Sequence, residues 1–218
     1  MRKKLNSSVL VISSVLLVLL LGSCTSLSFG AGYGGNTCDA NNDYHLISGV
    51  DHPSTGISSV WSSTIRFGEN RTKTGFAFFT SLDYTMGSRE QDSISYSSHL
   101  TAFSLGPAWE FVVSDKFRFL AGVGVLIGSY NTDEKKGNGY DTYIDGGSTL
   151  SGYSSFIDAR YFFSNSWFLS LRGSLSAAWL SDASYNYSIG GQGGSTILMN
   201  DHKFGVRYLA TLGIGYNI

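Results

Sequence analysis

The chain has 218 residues, enough for one large domain or two small ones, and its 42% hydrophobic content suffices for a sizeable core. Only 14% of residues are charged, against about 25% in an ordinary soluble domain, and the formal net charge of −1 gives no electrostatic footprint for nucleic acid. A mean hydropathy of +0.02, with no long apolar run beyond Leu21, excludes a bundle of transmembrane helices, and plentiful aromatic and β-branched residues exclude disorder.

The chain opens on a leader. Arg2, Lys3 and Lys4 precede an apolar run from Val9 to Leu21 that ends in small residues, the plan of a secretory signal peptide. Two cleavage readings stay open. Leu21-Gly22-Ser23-Cys24 resembles a lipobox and would leave a lipidated Cys24. Ser26-Leu27-Ser28 presents small residues to an ordinary signal peptidase, and dividing the chain there gives a leader of 1–28 and a folded part of 29–218. Cys24 and Cys38 are the only cysteines, so a disulfide scaffold is excluded; the two pair only if both survive processing.

The remainder reads as eight strands of alternating apolar and small or polar residues. They are Leu27–Gly34, Gly56–Gly68, Thr74–Gly87, Leu100–Val113, Phe117–Tyr130, Tyr153–Phe163, Trp167–Ser181 and Lys203–Ile218. Most reach or exceed the 9–11 residues or so with which a tilted strand crosses a bilayer. Short connections (Glu69–Lys73, Ser114–Lys116, Ser164–Ser166) alternate with long ones (Gly35–Thr55, Ser88–His99, Asn131–Gly152, Asp182–His202). That rhythm predicts an eight-stranded antiparallel transmembrane β-barrel with short periplasmic turns and longer extracellular loops.

Alternation alone fits a secreted lipocalin-type barrel with its apolar face inside as well as a membrane barrel with that face outside. Trp167–Ser181 favours the membrane: Trp167, Leu169, Leu171, Leu175 and Trp179 share a face, with Trp at both limits. The last strand repeats the scheme, and Trp61, Trp109, Trp167, Trp179, Tyr208 and Tyr216 are the expected interface aromatics.

The opposite face carries isolated charges. Pairing Phe163 with Trp167 sets Asp158 across from Arg172, favourable for opposite charges on neighbouring strands. Glu110 and Arg118 lie diagonally across the turn at Asp115, pairing Phe67 with Phe76 places Arg66 and Asp83 inside, and Arg160 and Arg207 complete the set. These residues either glue a filled barrel or form a polar constriction; Phe79, Leu100, Leu120, Leu126, Phe156 and Phe168 share their face. The long loops hold 11 acids against 3 bases, a net of −8, without the spacing of a calcium loop. No metal and no cofactor is expected.

His99-Leu100-Thr101 through Trp109-Glu110-Phe111 to Lys116-Phe117-Arg118-Phe119-Leu120-Ala121-Gly122-Val123-Gly124 resembles the OmpW family of small outer-membrane proteins. The match is specific over about 25 residues, and barrels of OmpX type or like the OmpA membrane domain share the generic plan. The resemblance implies an outer-membrane barrel of a diderm bacterium, inserted by the barrel-assembly machinery and surrounded by outer-membrane lipid. It also implies a narrow channel that passes small, often hydrophobic solutes and releases them sideways. Pro107 then matters, because it lies within a strand and brings no N–H to a wall that has no edge. It marks either a weak seam for lateral exit or a local bulge.

Two other functions compete with the channel. A non-conducting barrel would bind external ligands or adhere through the Tyr- and Gly-rich loops Gly137–Thr149 and Tyr185–Ser195. An enzyme would need His45, His52, His99 or His202 to converge with a nucleophile at the outer rim, and no nucleophile motif accompanies them. The chain therefore reads as a non-enzyme.

Overall fold

The computed structural model describes residues 26–36, 55–67, 74–91, 94–136, 142–189, 192–198 and 203–218. The strands are β1 (Ser26–Asn36), β2 (Thr55–Arg66), β3 (Gly75–Gln91), β4 (Ile94–Val112), β5 (Phe117–Lys136), β6 (Thr142–Phe162), β7 (Trp167–Ile189), β8 (Gln192–Leu198) and β9 (Lys203–Asn217). Each of β1 to β7 pairs antiparallel with the next, β7 pairs with β9, and β9 returns to β1. Eight strands therefore close an antiparallel barrel without a free edge in its wall. The ninth, β8, pairs with the upper part of β7, above the level at which β9 takes over.

Alternation sorts the side chains as a membrane wall requires. Leu169, Leu171, Leu175, Leu212, Ile157, Ile127 and Trp61 are exposed on the outside. Phe79, Leu100, Leu120, Leu126, Phe156 and Phe168 are buried inside. The lipocalin arrangement is thus excluded, because so continuous an apolar exterior needs hydrocarbon around it. Ring pairs tie outer neighbours together: Phe76 with Trp109 at 5.1 Å, Trp167 with Tyr216 at 5.0 Å and Tyr153 with Trp179 at 6.3 Å. Trp167 and Tyr216 stand at strand ends, and Trp109 near one. Trp61 and Tyr208 sit at mid-strand, in the wall proper and away from the aromatic belts.

Three segments expected as loops are largely strand. β3 and β4 continue to Gln91 and from Ile94, β5 and β6 run to Lys136 and from Thr142, and β7 and β8 fill much of 182–202. Strands of 17 to 23 residues exceed what a bilayer needs, so β3 to β7 project beyond it. Their upper parts are mostly polar, with few apolar side chains such as Ile94 and Tyr96 on the inner face of β4, and so weak an alternation hides a strand. Pairing holds them instead, assisted by contacts such as Ser97 Oγ to Asp133 Oδ2 at 3.3 Å.

The leader and both cysteines lie outside the described residues, except that Ser26, Leu27 and Ser28 already belong to β1. Ser26 pairs with Thr64 on one side and Asn217 on the other. The wall thus begins three residues before the division drawn from the sequence.

Close packing of the wall is enforced by glycines. A Cβ at Gly152 would lie 2.0 Å from the carbonyl oxygen of Ala177, a backbone atom that cannot swing aside. At Gly173, on the outer face, a Cβ would meet nothing within 4 Å. Gly152→Ala is accordingly expected to lose about 1–3 kcal/mol. Gly173→Ala should stay within about 0.5 kcal/mol of the parent. Urea midpoints read from the heat-modifiable gel mobility of refolded protein distinguish the two.

Candidate functional site

The interior is built in layers. At the periplasmic end Arg66 Nη1 meets Glu110 Oε2 at 2.8 Å, and Arg118 Nη1 meets Glu110 Oε1 at 3.6 Å. Arg160, from β6, donates through Nε to Asp158 Oδ2 at 2.8 Å, through Nη1 to Ser26 Oγ at 3.2 Å and through Nη2 to Thr64 Oγ1 at 3.3 Å. The Ser170 hydroxyl completes Asp158 by donating to Oδ1. One guanidinium thus ties β6 to β1 and β2 across the lumen. Between these groups lies a cavity of about 10 Å³, room for one water.

Above them stands an aromatic layer. Phe79 and Phe156 meet there edge to face at 4.6 Å, within a cluster that includes Ala77, Ala108 and Leu120; Phe162 and Phe168, 5.1 Å apart, face each other at the foot of β6 and β7, on the periplasmic side of Arg160. Three guanidiniums rest on these rings: Arg118 over Phe162 at 4.5 Å, Arg160 over Phe168 at 4.9 Å and Arg172 over Phe156 at 4.0 Å. Arginine suits this place because its planar, weakly hydrated head stacks on a ring while its N–H groups reach sideways. Higher still, Arg207 Nη1 meets Asp83 Oδ2 at 3.0 Å.

All eight charged residues expected inside do face the lumen, but the partners differ from those expected in one respect. Asp158 and Arg172 are register partners across β6 and β7, yet Asp158 gives its ion pair to Arg160, two residues along its own strand. Arg160 holds Asp158 while also reaching Ser26 and Thr64, and Arg172 turns onto Phe156. The partnerships Arg66–Glu110, Arg207–Asp83 and Arg160–Ser26 join strands that are not neighbours in the wall. Hairpin register therefore carries no signal for them.

Pro107 faces outward on β4 opposite Phe78 of β3. Toward β5 the ladder lapses: Leu105 pairs with Val125 and Ala108 with Gly122, while Gly106 and Pro107 between them form no bridge to β5. Both strands advance by the same number of residues across the gap, so the register does not shift and the site is no bulge. Outside, Pro107 borders a groove of about 1100 Å³ shared with Trp109, Val123, Ile157, Leu175 and Tyr208. Of the histidines, His99 shares a hydrogen bond of 2.9 Å between Nδ1 and the Tyr84 hydroxyl; His45, His52 and His202 lie outside the described residues.

No family model and no curated protein matches the chain. Solved structures do. A major outer membrane protein of Thermus thermophilus is 11% identical with a TM-score of 0.57, covering 88% of this chain and 98% of that one. Ail, the attachment invasion locus protein of Yersinia pestis, in its complex with the heparin analogue sucrose octasulfate, is 10% identical with a TM-score of 0.50 over 88% and 97%. The Escherichia coli outer membrane protease OmpT is 11% identical with a TM-score of 0.50 over 88% and 79%. At such identities the likeness is one of fold, and the fold is that of an outer-membrane β-barrel.

Proposed function

We propose that the protein is a non-enzymatic outer-membrane barrel of a diderm bacterium whose lumen is closed, and that its work is ligand binding by the sheet projecting above the wall. The observation that carries this reading is the packed interior. Phe79 and Phe168 are buried to 1% and 0% exposure in the lumen, and the Arg160 guanidinium caps the Phe168 ring. The length of β3 to β7 supports it further, since a wall of that height presents a preformed surface outside the bilayer.

Charge narrows the ligand class. Ail has been solved with a heparin analogue, a polyanion. Here the outer loops carry a net of −8, which opposes a polyanion and favours a neutral or basic partner. Lipid covers the apolar wall, the leader directs export, and insertion falls to the barrel-assembly machinery.

One observation favours a second reading, the narrow channel with lateral release that the OmpW resemblance implies. Pro107 removes a wall donor just where the outer groove lies.

Planar-bilayer conductance of refolded protein separates the two. The closed barrel is expected to show no steady current above that of the bare bilayer. Persistent single-channel steps would end that reading, and a loss of apolar-solute uptake in Pro107→Ala would establish the lateral path in its place. Replacing the plug by Phe79→Ala with Phe156→Ala should open the lumen and produce current where the parent has none. Folded yield of that variant is checked by gel mobility, because truncating two core aromatics costs about 3–5 kcal/mol each.

A further inference from the structure

The charges in the lumen do not balance. Among the described residues five arginines (Arg66, Arg118, Arg160, Arg172, Arg207) face three acids (Asp83, Glu110, Asp158). Near the periplasmic rim Arg66 and Arg118 share Glu110. At the same level Arg160 takes Asp158, and deeper in Arg207 takes Asp83, which leaves Arg172. It is 6% exposed and makes no ion pair among the described residues. Its electrostatic neighbours are Asp83 and Asp158, both already engaged, and the like charges of Arg160 and Arg207. The Phe156 ring beneath it offsets only part of the desolvation of a buried guanidinium.

Among the described residues eleven buried side-chain atoms lack a hydrogen-bond partner, and five of them belong to this stretch. Nε of Arg172 and both Nε and Nη2 of Arg207 are buried donors without an acceptor. Asp83 Oδ1 and the Ser154 hydroxyl are buried without partners as well. Ser154 stands opposite Ser176, and Ser176 opposite Arg207, so the hydroxyl belongs to the same stretch of inner wall. Water can serve the oxygens and the donors alike. It cannot supply the missing negative charge, and buried polar atoms left open in this way mark the place of a bound ion or water.

We infer that a small monovalent anion, of the size of chloride, is held inside the barrel between Arg172 and Arg207. It accepts from Arg172 Nε and from the two open nitrogens of Arg207. Water bridges it to Ser154 and keeps it from Asp83 Oδ1. Bound there it neutralises the middle of the lumen, and it is a structural component of the wall's interior whether or not the barrel conducts.

The test uses refolded, detergent-solubilised protein at constant ionic strength, with gluconate replaced stepwise by chloride or bromide. Unfolding temperature should rise along a saturable curve, by about 3 °C once the anion is in roughly fourfold excess over its dissociation constant. Arg172→Met, whose thioether keeps contact with Phe156, should abolish the saturable part while Arg118→Met retains it. Identical unfolding temperatures of the parent protein in gluconate and chloride would overturn the inference and leave water alone in the site. Should Arg172→Met fail to fold, crystals of the parent soaked in bromide decide. An anomalous peak between Arg172 and Arg207 upholds the site, and its absence there refutes it.

Discussion

Each side chain of a spanning strand faces either hydrocarbon or a lumen too narrow to hold bulk water, and every other property of this protein answers to that division. The wall is one residue thick, so the two solvents alternate with a period of two along each strand. On the lipid side a charge is excluded outright. On the lumen side it is admitted only with partners, since an isolated buried ion costs several kcal/mol after relaxation. The low overall charge of the chain and the dense pairing of its few interior charges follow from the same fact.

The manner of pairing decides what the interior is like. Carboxylates alone are too few for five guanidiniums. Aromatic rings compensate part of the remainder, since Phe156, Phe162 and Phe168 each lie beneath an arginine. A ring that compensates a guanidinium also fills space, so electrostatic compensation and packing of the lumen come from the same residues. The Arg160 contacts with Ser26 and Thr64 extend this to the closing seam, where β1 meets its neighbours. Pro107 shows the reverse case. There the wall forgoes a hydrogen bond, and Gly106 and Gly124 let the two backbones approach closely: a Cβ at Gly106 would lie 2.2 Å from the Val123 carbonyl oxygen.

How far all this was legible in the sequence depends on the range of the interaction. Strand faces were legible, because lipid imposes its alternation on each strand separately, as in Trp167–Trp179. Hairpin register was legible where a short turn fixes it. Phe67 N–H donates to Phe76 at 2.9 Å and Phe163 N–H to Trp167 at 3.2 Å, the two pairings the turns predict. Contacts beyond the neighbouring strand were not, since Arg66 reaches past β3 to Glu110, and Arg207 meets Asp83 only after the barrel has closed. The competition that gave Asp158 to Arg160 was equally hidden, because register reports which residues are opposite and not which side chain reaches further. The extensions of β3 to β7 escaped for another reason: their outer face is polar, and the few buried apolar residues there, such as Ile94 and Tyr96, are too sparse to show a period. Trp61 misled because an indole suits an interface and a hydrocarbon wall alike, and here it packs on Phe29 at 4.4 Å in mid-strand.

Charge is also distributed unevenly along the barrel axis. The outer loops are acidic and the described lumen carries two more arginines than acids, so the two sets are separated from one end to the other. An anion approaching from outside meets the loops first and is repelled, then meets polar strands, then the aromatic layer. From the periplasmic side it meets Arg66, Arg118 and Arg160 around a small polar cavity. The potential along the axis thus favours a small anion at the periplasmic end over the outer one.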